Sequence, residues 1–314
     1  MKVFLLISGL LGALMVVEMT LRVGFGFGHP PLYIGDDRIG YLLAPNQKVR
    51  RFGNRIEINE YSMRAEAIAV KLPTTLRLFL LGDSLANGGW WTDQKDVLSY
   101  RIAHYLQPNL PAPYQMIEAL NASANSWGPR NELAYLDRYG LFDSTILLLL
   151  LNTDDLFGTP PTPLQVGRDR SYPAQKPFSA ISEVLSRYLQ KNQPIPGLKD
   201  IQNEGGDRVG KNLTAIDGIR QKAMDNGSQF ILVLSPLKRE IPGPRDYELV
   251  ARQRLKDWAT DADVPYLDLL KTYQTHLPHA DELYRDHIHL SPLGNELVGE
   301  AIADVILTLQ QNSK

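Results

Sequence analysis

The sequence predicts an α/β fold of three layers, a mainly parallel sheet between helices, preceded by one helix long enough to cross a membrane. Three observations carry this. Short apolar runs alternate with helix-like stretches from residue 76 to the C-terminal end. The strongest of these runs, at residues 145–151, is almost unbroken leucine, as in strands covered on both faces. Residues 3–17 carry no charge at all.

Bulk composition narrows the class further. With 314 residues, 44% of them hydrophobic, and a net charge of −2, the chain can build a core and is not disordered. A mean hydropathy of −0.21 excludes a polytopic membrane protein. Lys+Arg 33 against Asp+Glu 35 leaves no basic excess, so nucleic acid is not an expected partner. The absence of cysteine excludes thiol catalysis, disulfides and cysteine-ligated metals, and leaves the compartment open.

Taken in order, residues 1–22 form the expected transmembrane anchor. The stretch from residue 3 to 21 would span about 28 Å as a helix, close to the hydrocarbon thickness. A cleaved signal peptide would need a small-x-small site after the apolar run, and none is evident; a buried core helix is the third reading. Only Lys2 precedes the span, which places the body on the extracytoplasmic, periplasmic side. Residues 23–75 read as a juxtamembrane extended segment, polar and rich in turns, with a short strand candidate at 55–59. Residues 76–314 form the main domain. Strands are expected at 76–81, 115–120, 145–151, 230–234 and 264–269, and helices near 97–106, 130–139, 213–225, 248–260 and 296–309. Residues 157–208 break the rhythm as an insertion or lid, with five prolines between 157 and 178.

In an open parallel sheet, ligands collect where strands end. The first strand ends in Gly82-Asp83-Ser84. A serine on that turn presents its hydroxyl at the sheet edge, although the same residues also make an ordinary turn and helix N-cap. Before the last helix stands Asp286-His287-Ile288-His289. Asp286 and His289, three residues apart, can supply a base and the carboxylate that fixes its tautomer. The alternatives are a turn aspartate with a polar rim of histidines, or a metal on His287 and His289, for which no further ligands are identifiable. No metal or cofactor is expected.

Together these two motifs resemble the first and fifth blocks of the SGNH/GDSL hydrolases. Residues 121–128, Asn-Ala-Ser-Ala-Asn-Ser-Trp-Gly, are similar to the second block, with the family's oxyanion glycine at Ser126. Residues 152–156 stand where the family has Gly-x-Asn-Asp, which puts its oxyanion asparagine at Asp154. Residues 40–41 and 59–64 look like the leader of membrane-anchored, cell-envelope members. The resemblance implies a flavodoxin-like sheet and a catalytic triad of Ser84, His289 and Asp286. It also implies an oxyanion hole from the N–H groups of Ser84 and Ser126 and a side chain in the third block. An ionised Asp154 would repel an oxyanion, and losing one donor costs about 3–4 kcal/mol. Asn152, two residues earlier, is the expected replacement; a protonated Asp154, or a weak or inactive descendant that binds or assembles glycans, are the other resolutions.

Three of the four tryptophans, Trp90, Trp91 and Trp127, fall in the first two blocks. They are either core residues or a wall for a sugar or acyl group. The resulting expectation is a serine esterase or O-acyltransferase working through an acyl-enzyme on an acylated small molecule or on ester groups of an envelope or exported glycan.

Overall fold

The computed structural model describes residues 1–191, 193–275 and 279–312. Helix α1 (Lys2–Phe25) has a mean hydropathy of 2.2 in its most apolar window, none of that window is buried, and only its last turns touch the body. It stops at Gly26, whose φ of 75° closes the last turn. A Cβ there would meet the Arg50 carbonyl oxygen at 1.9 Å, so glycine is required for contact as well as for conformation.

The segment after α1 is more ordered than an extended linker. It makes two antiparallel hairpins, β1 (Tyr33–Asp36) with β2 (Gly40–Leu43), and β3 (Gln47–Arg51) with β4 (Asn54–Ile58). Ile39, Tyr41, Leu42, Ile56 and Ile58 from these hairpins are buried in the core.

The main sheet is five-stranded and parallel. Its strands are β5 (Thr75–Gly82), β6 (Met116–Ser123), β7 (Ile146–Asn152), β8 (Gln229–Ser235) and β9 (Tyr266–Asp268), in the order β6-β5-β7-β8-β9. Alternation along β5 and β7 divides the core in two. Phe79, Leu81, Leu147, Leu149 and Leu151 point to one side, and Leu78, Leu80, Ile146, Leu148 and Leu150 to the other. The first side is covered by α4 (Pro129–Tyr139), α7 (Arg208–Asp225) and α8 (Asp246–Asp261), through Tyr135, Ile216 and Leu255. The second is covered by α2 (Ser84–Asn87), α3 (Leu98–Leu106), α9 (Leu269–Gln274) and α10 (Pro292–Asn312), through Leu85, Ile102, Leu269 and Ile302. This is the α/β three-layer arrangement the sequence predicts. The region between β7 and α7 contains a 3₁₀ turn at Thr153–Phe157, then α5 (Ala180–Leu189) and α6 (Leu198–Gln202).

The chain leaves β5 for β6 on one side and returns to β7 on the other, so its direction of winding reverses at β5. Such a reversal opens a crevice at the strand carboxyl ends. Ser84, Ser126 and Asn152 all lie there, on the segments that follow or end β5, β6 and β7.

Candidate active site

The serine is delivered by a tight strand-to-helix turn. Gly82 lies so close to β7 that a Cβ would meet the Leu150 carbonyl oxygen at 2.8 Å. Asp83 caps α2 by accepting the Leu85 N–H at 2.8 Å, which makes Ser84 the first residue of that helix. The loop beyond is held by Arg64, a fully buried side chain whose guanidinium donates to the carbonyl oxygens of Asn87, Gly89 and Thr92. Burial lowers the Arg64 pKa to about 9. Arg64 belongs to the leader-like motif, but nothing local in the sequence says that it fastens this loop.

His289 comes from the far end of the chain. A bridge between Tyr284 and Leu290, and the Arg285 N–H donated to the His289 carbonyl oxygen at 2.8 Å, close the loop that carries it. Within that loop Asp286 Oδ1 accepts the N–H groups of Ile288 (3.0 Å) and His289 (2.9 Å). The fold then joins three side chains. His289 Nδ1 lies 2.8 Å from Asp286 Oδ2, and His289 Nε2 lies 3.0 Å from Ser84 Oγ. With Nδ1–H given to the carboxylate, Nε2 is left as the acceptor for the serine proton. Partial burial opposes ionisation of Asp286, but the N–H groups of His289 and Ile288 and the His289 ring outweigh it and hold the carboxyl at about 2. Asp286 is therefore an anion at neutral pH. His287 is exposed, and its ring nitrogen lies 3.9 Å from Asp286.

The oxyanion side departs from expectation. Asn152 is buried and its amide group donates to two carboxylates, Asp83 Oδ2 and Asp155 Oδ2, each at 2.9 Å. Both amide protons are thus occupied, and the side chain is a strut rather than a free donor. Asp154 turns away. Its carboxylate is 57% exposed and lies 3.4 Å from Arg239, while its N–H is donated to Asn152 Oδ1. The reason is Asp155, which takes both the Asn152 N–H (2.8 Å) and the Asn152 amide and so fixes how this turn points. Ser126 stands in the left-handed region with φ 59°, a conformation that glycine adopts more freely. Its hydroxyl oxygen accepts from Tyr172 at 3.1 Å, and its N–H has no protein partner among the described residues.

Asp83, Asp155 and Glu132 form a group of buried acids next to Ser84. Burial pushes the Asp83 carboxyl up, and burial together with the Asp83 and Glu132 charges pushes Asp155 well up. Glu132 is fully buried, neither of its oxygens has a partner among the described residues, and burial raises it well above the carboxylate range.

The three tryptophans separate in role. Trp91 packs on His289, with ring centroids 4.5 Å apart, and the Arg285 guanidinium lies 4.5 Å from the Trp91 ring centre. Trp127 is a buried core residue whose indole donates to the Tyr41 carbonyl oxygen at 2.9 Å, with one edge on the cleft. Trp90 packs against Phe52 at 5.0 Å and does not line the cleft. The cleft over Ser84 and His289 has a volume of about 590 Å³. Its walls mix aromatic Tyr41, Trp91 and Tyr172 with polar Asn131, Thr159 and Gln165.

Residues 80–297 match the family described as GDSL-like Lipase/Acylhydrolase, and the chain belongs to that family. Its members include lipases and acylhydrolases, and the class is that of carboxylic ester hydrolases. Among solved structures, the chain is similar to a lipase/acylhydrolase from Enterococcus faecalis at 14% identity and TM-score 0.44, covering 74% of this chain and 95% of that one. It is similar to a psychrotrophic esterase from Pseudoalteromonas at 14% identity and TM-score 0.44, covering 75% and 99%. It is also similar to an acetyl xylan esterase at 14% identity and TM-score 0.45, covering 74% and 98%. No curated protein sequence is significantly similar to this chain.

Proposed function

We propose that this protein is a membrane-anchored serine esterase or O-acyltransferase whose body lies outside the cytoplasm and which acts on ester groups of an envelope or exported glycan. The observation that carries the reading is the continuous relay from Asp286 through His289 to Ser84, at 2.8 and 3.0 Å. Ser84 Oγ attacks the ester carbonyl carbon as its proton passes to His289 Nε2, and Asp286 stabilises the imidazolium. The carbonyl oxygen becomes an oxyanion facing the N–H groups of Ser84 and Ser126. Collapse breaks the ester C–O bond, His289 protonates the departing alcohol, and the acyl group stays on Ser84. Water or a sugar hydroxyl, deprotonated by the same histidine, then takes the acyl group and returns the proton to Ser84. Hydrolysis and transfer share the first half and differ only in the acceptor admitted.

The glycan part of the reading draws on the walls of the cleft. A tryptophan beside the base, together with tyrosines and carboxamides, suits a sugar's apolar face and hydroxyls better than a long acyl chain. The anchor part draws on α1, whose most apolar window is wholly uncovered. A second reading, a binding or assembly protein of low activity, is favoured by one observation: neither Asn152 nor Asp154 offers an amide proton to an oxyanion. Turnover of p-nitrophenyl acetate by the full chain and by Ser84→Ala decides between them. The esterase reading expects turnover that Ser84→Ala abolishes; turnover equal in both, or absent from both, overturns it.

A further inference from the structure

Helix α5 is built inside out. Of its two charged residues, Glu183 faces inward, where Arg51 Nη2 lies 3.0 Å away and the Gly28 N–H donates at 2.6 Å, and Arg187 is tied back to Glu183 at 2.7 Å. Leu185, Tyr188 and Leu189 form an exposed apolar stripe on its outer face, with half-buried Ile181 one turn earlier and exposed Phe178 before the helix. Phe178 is 98% exposed, Leu185 48%, Tyr188 68% and Leu189 74%. A soluble surface has no use for such a stripe.

The position of α5 says what covers it. Its first turn is capped from α1, because Glu18 accepts the N–H groups of Ala180 at 2.8 Å and Ile181 at 3.0 Å. Glu18 is the first charged residue after Lys2. With the uncharged stretch 3–17 in hydrocarbon, Glu18 lies at the interface, and the start of α5 lies at the same level. The connection is stiff. Phe52 N–H donates to the Phe25 carbonyl oxygen at 3.0 Å, and the Arg51 guanidinium donates to the Gly26 carbonyl oxygen at 3.0 Å while also pairing with Glu183. Exposed Lys176 and Lys191 flank the helix on either side, the arrangement of an interfacial helix on anionic lipid.

We propose that α5 is a second membrane contact, its outer stripe lying in the headgroup–acyl boundary of the same bilayer that α1 crosses. The proposal rests on the anchor reading of α1 given above. It has a consequence for the site. Thr159, Gln165, Ser171 and Tyr172, which line the cleft, belong to the segment that runs directly into α5. The lipid surface thereby fixes the cleft wall, and substrate reaches Ser84 close to the membrane.

The chain has no cysteine, so single spin labels report without ambiguity. The full-length protein is labelled at Leu185→Cys, Tyr188→Cys, Leu10→Cys and Lys256→Cys and reconstituted in vesicles of phosphatidylethanolamine and phosphatidylglycerol. Collision with oxygen and with a water-soluble nickel chelate is then measured. The expected result is that positions 185 and 188 lose access to the chelate and gain access to oxygen, as position 10 does, while position 256 stays open to the chelate. If position 10 is lipid-like but 185 and 188 remain open to the chelate, α5 is not at the membrane and the anchor reading stands. If 185 and 188 are shielded from both reagents, a protein covers the stripe and the proposal is wrong. If position 10 itself is open to the chelate, the anchor reading falls and takes the proposal with it.

Discussion

Replacing Asp286 by Asn isolates the relay from the fold. The carboxylate divides its work: Oδ1 accepts the N–H groups of Ile288 and His289, and Oδ2 accepts the imidazole Nδ1–H at 2.8 Å. In Asp286→Asn the carbonyl oxygen keeps the two backbone donors, so the NH₂ group faces the ring. A donor there forces Nδ1 to accept, which puts the imidazole proton on Nε2, pointing at Ser84 Oγ 3.0 Å away. The base then cannot take the serine proton. An amide at this position in a serine triad costs about 10⁴ in kcat, or about 5 kcal/mol of transition-state stabilisation. Asp286 is 32% exposed here, so water offers some relief, and the expected loss is about 10³ to 10⁴. Because the backbone bonds survive, the expected stability loss is below about 1 kcal/mol, about 2–4 °C in Tm. Initial rates with p-nitrophenyl acetate, alongside a thermal melt, read both quantities. A loss smaller than about tenfold with the fold intact refutes the reasoning, since His289 would then act without its orienting carboxylate.

Further expectations concern the residues around the relay. Asp154→Asn should change kcat/KM by less than about threefold, because the side chain points to Arg239; a gain of 10²–10³ would show that position 154 does face the oxyanion. Glu132→Gln should flatten the alkaline side of the stability curve. Burial raises the Glu132 pKa above its unfolded value of 4.5, so the folded state holds the proton longer and stability falls as pH rises from there toward the folded pKa, by up to about 1.4 kcal/mol per pH unit. Denaturant melts from pH 5 to 9 read this, and parallel curves for the two proteins would contradict it. Arg51→Met should cost about 3 kcal/mol in a denaturant melt, because it leaves Glu183 buried without this partner; a loss below about 1 kcal/mol would show that Arg187 and Gly28 suffice. With the Asp286 pKa near 2, lowering the pH from 7 to 4 should leave that carboxylate ionised and its backbone bonds intact, so any loss of rate over this range belongs to another group.

What the sequence shows of the site follows the range of the contacts involved. Gly82-Asp83-Ser84 and Asp286-x-x-His289 are short motifs whose geometry is set within one turn, and each is recognisable from its own residues. Three strands of the sheet, β5, β7 and β8, are legible because both their faces are buried, which leaves continuous apolar runs. The third block is another matter. Whether Asn152 or Asp154 meets the serine depends on Asp83, 69 residues away from Asn152, and on Asp155, whose burial no local pattern announces. The same holds for α5. It falls within residues 157–208, where no helix is expected, and the inward pairing of Glu183 with Arg51, which decides the outer face, spans 132 residues. Of the hairpins at 33–58 only β4 is expected, as the strand candidate at 55–59; β3 is nearly all polar and gains its order from packing, not from its own alternation.

The central claim is that Ser84 is an activated nucleophile, and a fluorophosphonate tests it without any assumption about substrate. Its phosphorus accepts the serine oxygen as fluoride leaves, and intact-mass and peptide mass spectrometry locate the adduct. The full-length protein should take one equivalent, on the peptide containing Ser84, and His289→Ala should lose the labelling. An unlabelled protein, or an adduct on any other residue, would contradict the account.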